Sequence, residues 1–143
     1  MAGNTDGTIS AQEAIRAAGL RATPARVATL LVLRRSAAPL THAEVSAELA
    51  EAAIDKATVF RSLSALVDAG LSRRFEVGDH VYRFEQVVPG EAATHRHPHF
   101  LCTVCGVVSC LDHAGVSSGI RRVCETIGDV TDIVLRGRCR ECQ

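Results

Sequence analysis

Cys102 and Cys105 form one Cys-x-x-Cys pair, Cys139 and Cys142 form a second, and the inner cysteines of the two pairs are 34 positions apart. Two thiols three positions apart in a turn can grip one small cation, and two such turns supply the tetrahedral four-sulfur shell that Zn2+ favours. The expectation is a structural zinc site made of these four residues. Unligated thiols or disulfides are the competing readings. Disulfides belong to oxidising compartments, and the N-terminal segment MAGNTDGTIS has neither the basic nor the apolar stretch of a secretory signal. No apolar run approaches the roughly 18 residues of a membrane span. A cytoplasmic protein with reduced thiols is therefore expected, with no membrane partner.

A second group of metal-ligating residues precedes the first pair. His95, His97 and His99 alternate in the run HRHPH, and the period of two in a strand puts all three on one face. Glu85, Cys110, Asp112 and His113 lie close in sequence, so a second metal site is expected here. The alternative is a set of surface histidines beside a zinc knuckle. A third cluster, Lys56, Thr58, Phe60 and Arg61, opens an apolar-periodic segment. At the start of a helix these types can meet phosphates, guanine and a thymine methyl group. A solvated helix face with a partly buried Phe is the other reading.

The elements that must position these residues divide in two. A chain of 143 residues makes one ordinary domain or two small ones, and small ones need help from a metal or from oligomerisation. Ser10 can cap a helix that ends at Gly19. Thr23-Pro24 opens a second, carrying Val27, Leu30, Leu31 and Val32, and Thr41 with Glu44 has capping-box spacing for a third. Asp55 can cap a fourth, whose stripe of Val59, Leu63, Leu66 and Val67 ends at Gly70. Two strand-like runs at 71–77 and 80–85, joined by Gly78-Asp79, then read as a hairpin. Helices followed by a hairpin suggest a winged helix-turn-helix over 1–85. Pro89 and Gly90 mark a hinge at 86–94. The remainder, 95–143, reads as strands at 99–102, 106–110 and 132–138 with a helix near 113–127. The fold class is α+β.

Net charge is zero, with 16 basic and 16 acidic residues, and 15 of the basic ones are Arg. No bulk electrostatic footprint announces nucleic acid, so any DNA contact must come from a local patch. A zinc hydrolase built on three histidines would need an open coordination position and a substrate cleft. Two such small domains offer no obvious room for one, and neither an enzyme nor a small-molecule substrate is expected.

The run ATVFRSLSALVDAGL at 57–71, the segment RATPARVATLLVL at 21–33, and His-x-His two residues before Cys-x-x-Cys-Gly with a closing Cys-x-x-Cys together resemble the ferric-uptake-regulator (Fur) superfamily of metal-sensing repressors. The similarity covers about 15–143. It implies a winged-helix DNA-binding domain, a C-terminal α/β dimerisation domain, a homodimer on a palindromic double-stranded operator, and a regulatory metal at the hinge. Carried over by position, Cys102, Cys105, Cys139 and Cys142 match the structural zinc site. Glu85, His97 and His99 match the hinge sensing site, with Cys110 where an acidic ligand is usual. Lys56, Thr58, Phe60 and Arg61 match the recognition helix. His80, His95 and His113 are further candidate ligands.

Departures from the family pattern narrow the reading. Phe60 replaces a usual Tyr, and Pro39 stands where iron and peroxide sensors carry a histidine, leaving His42 as the nearest substitute. Ser117 and Thr131 occupy positions of a second regulatory site, which is not expected. A sensing set of Glu85, His97, His99 and Cys110 offers one oxygen, two nitrogens and one sulfur. Soft ligands in low coordination suit Zn2+, whereas Fe2+ and Mn2+ prefer five or six hard ones. The chain is thus expected to be most like a zinc-uptake regulator, with iron-responsive or peroxide-sensing repression as the alternative.

Overall fold

The computed structural model describes residues 3–88, 98–111 and 117–143. The chain forms two compact units, Met1–Val88 and Pro89–Gln143. No helix among the described residues is long and apolar enough to cross a membrane.

The first unit runs α1 (Gly3–Ala17), α2 (Pro24–Arg35), β1 (Leu40–Thr41), α3 (His42–Glu48), a 3-10 turn at Ala50–Ala52, α4 (Lys56–Asp68), β2 (Ser72–Phe75) and β3 (Arg83–Gln86). Its strands make an antiparallel sheet in the order β1-β3-β2. This is a winged helix-turn-helix. The caps follow the local chemistry of the sequence. Thr23 accepts from the Arg26 amide at 3.3 Å with Pro24 at the first helical position, Thr41 and Glu44 form a reciprocal capping box, and the Asp55 carboxylate accepts from the Thr58 amide at 2.9 Å. α4 ends where Gly70 takes φ +73°, which a Cβ would oppose. The Gly70 amide then bonds the Val67 carbonyl and the Leu71 amide the Leu66 carbonyl, the Schellman arrangement that satisfies the last carbonyls of a helix.

α2 lies between two apolar clusters because it turns buried side chains to both sides. Val32 and Leu33 pack with Val45, Leu49, Val59, Leu63 and Phe84, while Val27 and Leu30 pack with Ala11, Ile15 and Leu66. α4 contributes to both clusters, so the helix carrying Lys56, Thr58, Phe60 and Arg61 is anchored along its length.

Three expectations need correction here. Ser10 is not a cap: α1 starts at Gly3, and Ser10 Oγ accepts from Arg34 Nη1 at 3.3 Å. Ala11 and Ile15 pack with Val27 and Leu30 of α2, and the helix runs on through Ser10 towards the N-terminus. The hairpin is not closed by a two-residue turn, because β3 begins only at Arg83. Side chains hold the longer loop: Glu76 accepts from the His80 amide at 2.8 Å, and Asp79 accepts from the Val81 amide and pairs with the Arg83 guanidinium. His80 takes φ +61° within it. The helix of the second unit starts at Ser118 rather than near 113, since Ser117 is extended and caps it.

The second unit has β4 (His99–Cys102), β5 (Val108–Cys110), α5 (Ser118–Ile127), β6 (Val134–Gly137) and a 3-10 turn at Arg140–Cys142. β4 is central, antiparallel to β5 and parallel to β6. Its apolar core is thin, with Leu101, Cys102 and Val108 as the buried hydrophobics among the described residues. α5 buries none of its residues. Truncating Leu63, fully buried in α4, should cost the first unit about 2–5 kcal/mol. Urea unfolding of Leu63→Ala followed by helical circular dichroism checks this, and a change below roughly 1 kcal/mol contradicts the assigned core.

Candidate metal centre and nucleic-acid interface

The four knuckle cysteines come together because β4 and β6 run side by side in the same direction. Cys102 ends β4 opposite Gly137, and the Thr103 amide extends that pairing by donating to the Gly137 carbonyl at 2.8 Å. Each chain then turns into its knuckle. The first is closed by the Gly106 amide donating to the Cys102 carbonyl at 2.9 Å, with Gly106 at φ +74°; the second is the 3-10 turn closed by the Cys142 amide on the Cys139 carbonyl at 3.0 Å. The sulfurs of Cys102, Cys105, Cys139 and Cys142 all lie within 4.8 Å of one another.

That spacing fits zinc and excludes a disulfide in this state. All six cysteines are free thiols, and Cys105 Sγ stands 3.8 Å from Cys139 Sγ. A tetrahedron with Zn–S bonds of about 2.3 Å has sulfur–sulfur edges of about 3.8 Å. The electrostatics is also that of a thiolate cage. Backbone amides of Cys105 and then Cys139 point at Cys102 Sγ and lower its pKa to about 6. The Cys142 thiol, hydrogen-bonded first to Cys139 and then to Cys105, is pushed up to about 12. Without a cation the four sulfurs cannot all ionise so close together, and a divalent ion removes that conflict. The cluster could therefore hold zinc.

Of the second metal group, the structure pairs two members directly. His99 and Cys110 are opposite residues across β4 and β5, with ligand atoms within 4.8 Å of each other. His99 is 1% exposed, so its ring is held by packing. Glu85 lies on β3 of the first unit, opposite Arg73, whose guanidinium donates to its carboxylate in a half-buried ion pair. The Arg73 partnership escaped sequence reasoning, because it depends on strand register. His95, His97 and His113 lie outside the described residues. His80 is exposed in the β2–β3 loop and belongs to no cluster of metal-ligating groups among the described residues.

At the start of α4, Lys56, Phe60 and Arg61 are exposed. Phe60 is 52% exposed, although it is a large apolar side chain. Thr58 is tied into a short ladder: its hydroxyl donates to Asp55 Oδ2 at 2.7 Å and accepts from Arg61 Nη2 at 2.9 Å. The Thr58 hydroxyl and amide, with Arg61 beyond them, hold the Asp55 carboxyl below its ordinary range. The ladder orients the Arg61 guanidinium along the helix face. Sequence reasoning gave His42 only a substitute ligand role, yet its ring contacts this same helix end; the signal was its place just after the Thr41 cap.

The model of the ferric uptake regulator family matches residues 17–134. The second cysteine pair lies beyond that span, so its place in the cluster rests on the geometry. A comparison with curated protein sequences finds no match. Among solved structures, the Vibrio cholerae ferric uptake regulator is 25% identical at a TM-score of 0.71, covering 90% of this chain and 98% of its own. A zinc-bound manganese uptake regulator is 22% identical at a TM-score of 0.73, with 90% and 98% covered. A zinc uptake regulator complexed with zinc and DNA is 20% identical at a TM-score of 0.63, with 99% and 96% covered. Since the family model spans most of its length, the chain belongs to the ferric uptake regulator family and is a metal-responsive DNA-binding regulator.

Proposed function

We propose that this regulator is a zinc-responsive repressor of metal-uptake genes, acting in the cytoplasm as a homodimer on a palindromic double-stranded operator. The observation that carries the metal assignment is the pairing of His99 with Cys110 across β4 and β5. A buried imidazole beside a thiol is a soft donor pair, and it favours zinc over Fe2+ or Mn2+. Neighbours of similar fold include regulators named for iron, manganese and zinc, so the donor set carries more weight than the resemblance does. Cys102, Cys105, Cys139 and Cys142 hold the structural zinc. Glu85, His97, His99 and Cys110 form the exchangeable site.

In this reading residues 1–85 bind DNA, 86–94 are the hinge, and 95–143 dimerise and hold metal. Bound at the exchangeable site, a divalent ion supplies charge that draws carboxylate, imidazole and thiolate ligands together. Glu85 belongs to the DNA-binding side and His97, His99 and Cys110 to the other, so these residues restrict the hinge when they share one ligand set. Lys56, Thr58, Phe60 and Arg61 then reach both half-sites of an operator at once. Raising the docking-competent fraction tenfold gains about 1.4 kcal/mol of apparent affinity, enough to switch a promoter. Dimerisation is supported by α5, where Ile120, Val123 and Ile127 are exposed at spacings that share a face. That face needs apolar cover, and a second copy of the unit provides it.

Cys139→Ser should lower the zinc retained after dialysis against a mild chelator from about one ion per chain towards none, and should lower the melting temperature. Elemental analysis with a thermal melt reads both; full zinc retention refutes the four-sulfur site. His97→Ala or Glu85→Ala should abolish the metal-dependent part of operator binding in a gel shift while the dimer and its structural zinc persist. Cys110→Asp should move the activating metal from zinc towards Mn2+ or Fe2+ in the same assay. An unchanged metal response in all three variants rejects the exchangeable site. Val123→Glu should convert the dimer to a monomer by sedimentation, and an unaffected dimer places the interface elsewhere.

A further inference from the structure

Phe60 poses a physical problem. In the reading above it meets base edges, yet a phenyl ring 52% exposed on a helix surface has no hydroxyl with which to anchor itself. Free to change rotamer, it would lose conformational freedom on every docking event. The structure supplies a holder. The His42 ring meets the Phe60 ring edge-to-face, with centroids 5.8 Å apart and planes at 90°, within the geometry that aromatic pairs prefer.

His42 is itself fixed. It is the first residue of α3, directly after the Thr41 capping box, and its Nε2 lies 2.8 Å from the Lys56 carbonyl oxygen. A carbonyl can only accept, so Nε2 carries the proton and donates. Ser46 Oγ, one turn further along α3, lies 3.3 Å from the same nitrogen. In an α-helix the Lys56 carbonyl is also the partner of the Phe60 amide. His42 thus grips the first turn of α4 at two points four residues apart, the backbone acceptor at Lys56 and the side chain at Phe60.

We propose that His42 is a positioning residue of the DNA interface: it locks α3 to the reading end of α4 and sets the rotamer that Phe60 presents to the operator. It acts through Phe60 rather than by touching phosphate. This inference rests on the reading of α4 as the recognition helix.

The test uses the full-length, zinc-loaded protein and a DNA duplex selected by the wild type from a random-sequence pool, with affinity read by fluorescence anisotropy over a range of salt concentrations. His42→Ala should weaken binding by about two- to tenfold, the range set by one aromatic pair, with the slope of log affinity against log salt unchanged. In a Phe60→Ala background the same substitution should weaken binding by less than about twofold, because the group it orients is gone. His42→Gln, which keeps an N–H donor but not the ring, should lie near His42→Ala. Circular dichroism and zinc content should match wild type in every variant. Three results overturn the proposal: wild-type affinity in His42→Ala, an equal loss with and without Phe60, or a salt slope reduced by about one, which marks a direct phosphate contact. If Phe60→Ala and Arg61→Ala both bind DNA as wild type does, α4 is not the reading helix and both claims fall. If those two weaken binding and His42→Ala does not, only the positioning role fails.

Discussion

The parallel pairing of β4 with β6 is the constraint on which the second unit depends. β5 returns the chain to the end of β4 where β6 begins, but β5 and β6 lie on opposite edges of β4, so a tight turn cannot join them and the chain passes through α5 between them. Closing a loop of 34 residues between Cys105 and Cys139 costs on the order of 3 kcal/mol in chain entropy, growing only slowly with length. The few buried apolar side chains of this unit are a weak counterweight. A structural zinc contributes on the order of 10 kcal/mol in small zinc-binding peptides, which exceeds the closure cost severalfold. The cysteine pairs sit at the ends of the two strands that must meet, where a clip holds the register most directly. Register in turn places His99 opposite Cys110, so the four-sulfur cage supports the donor pair one strand-length away.

The first unit solves its folding problem differently. Its helices are short, but each has a cap supplied by a residue at its own end, and α2 presents apolar side chains to two clusters. Stability here comes from local contacts and a real core. That division suits a switch. In the proposed reading the first unit keeps its shape whatever the metal supply, while changes in metal occupancy act through the ligands proposed for the exchangeable site.

How much of this the sequence carried depends on how local each feature is. Thr41 with Glu44, Asp55 with Thr58, and Gly70 each act over three to six residues, and their caps form where the residue types placed them. The cysteine cluster was legible for another reason: metal chemistry links spacing to geometry even across a long loop. Features set by tertiary context were not legible. α1 runs through Ser10 back to Gly3, where no cap pattern in the sequence announces a helix start. β1 has two residues, and its partner, β3, lies more than forty positions away. Glu76 reads as part of a strand and Asp79 as half of a two-residue turn, yet their carboxylates hold a longer loop that precedes β3 at Arg83. The ion pair of Arg73 with Glu85 follows from that shifted register. No local pattern announces the His42 contact with Phe60, because it joins two helices through a turn.

A chain with zero net charge has little general attraction for DNA. In the proposed reading its electrostatic grip comes from few groups, and at the start of α4 those are Lys56 and Arg61, beside Asp55, whose carboxyl is held below its ordinary range and subtracts from them. Non-specific binding grows with the number of phosphates neutralised, so this interface starts from a low baseline. The capping carboxylate that lowers the local charge also orients Arg61 through Thr58, exchanging bulk attraction for direction. For the hinge-governed repressor proposed above, that exchange would be favourable. When the off state barely holds DNA, even a tenfold change in the docking-competent population separates a silent promoter from an active one, whereas a strongly basic chain would remain bound in both states.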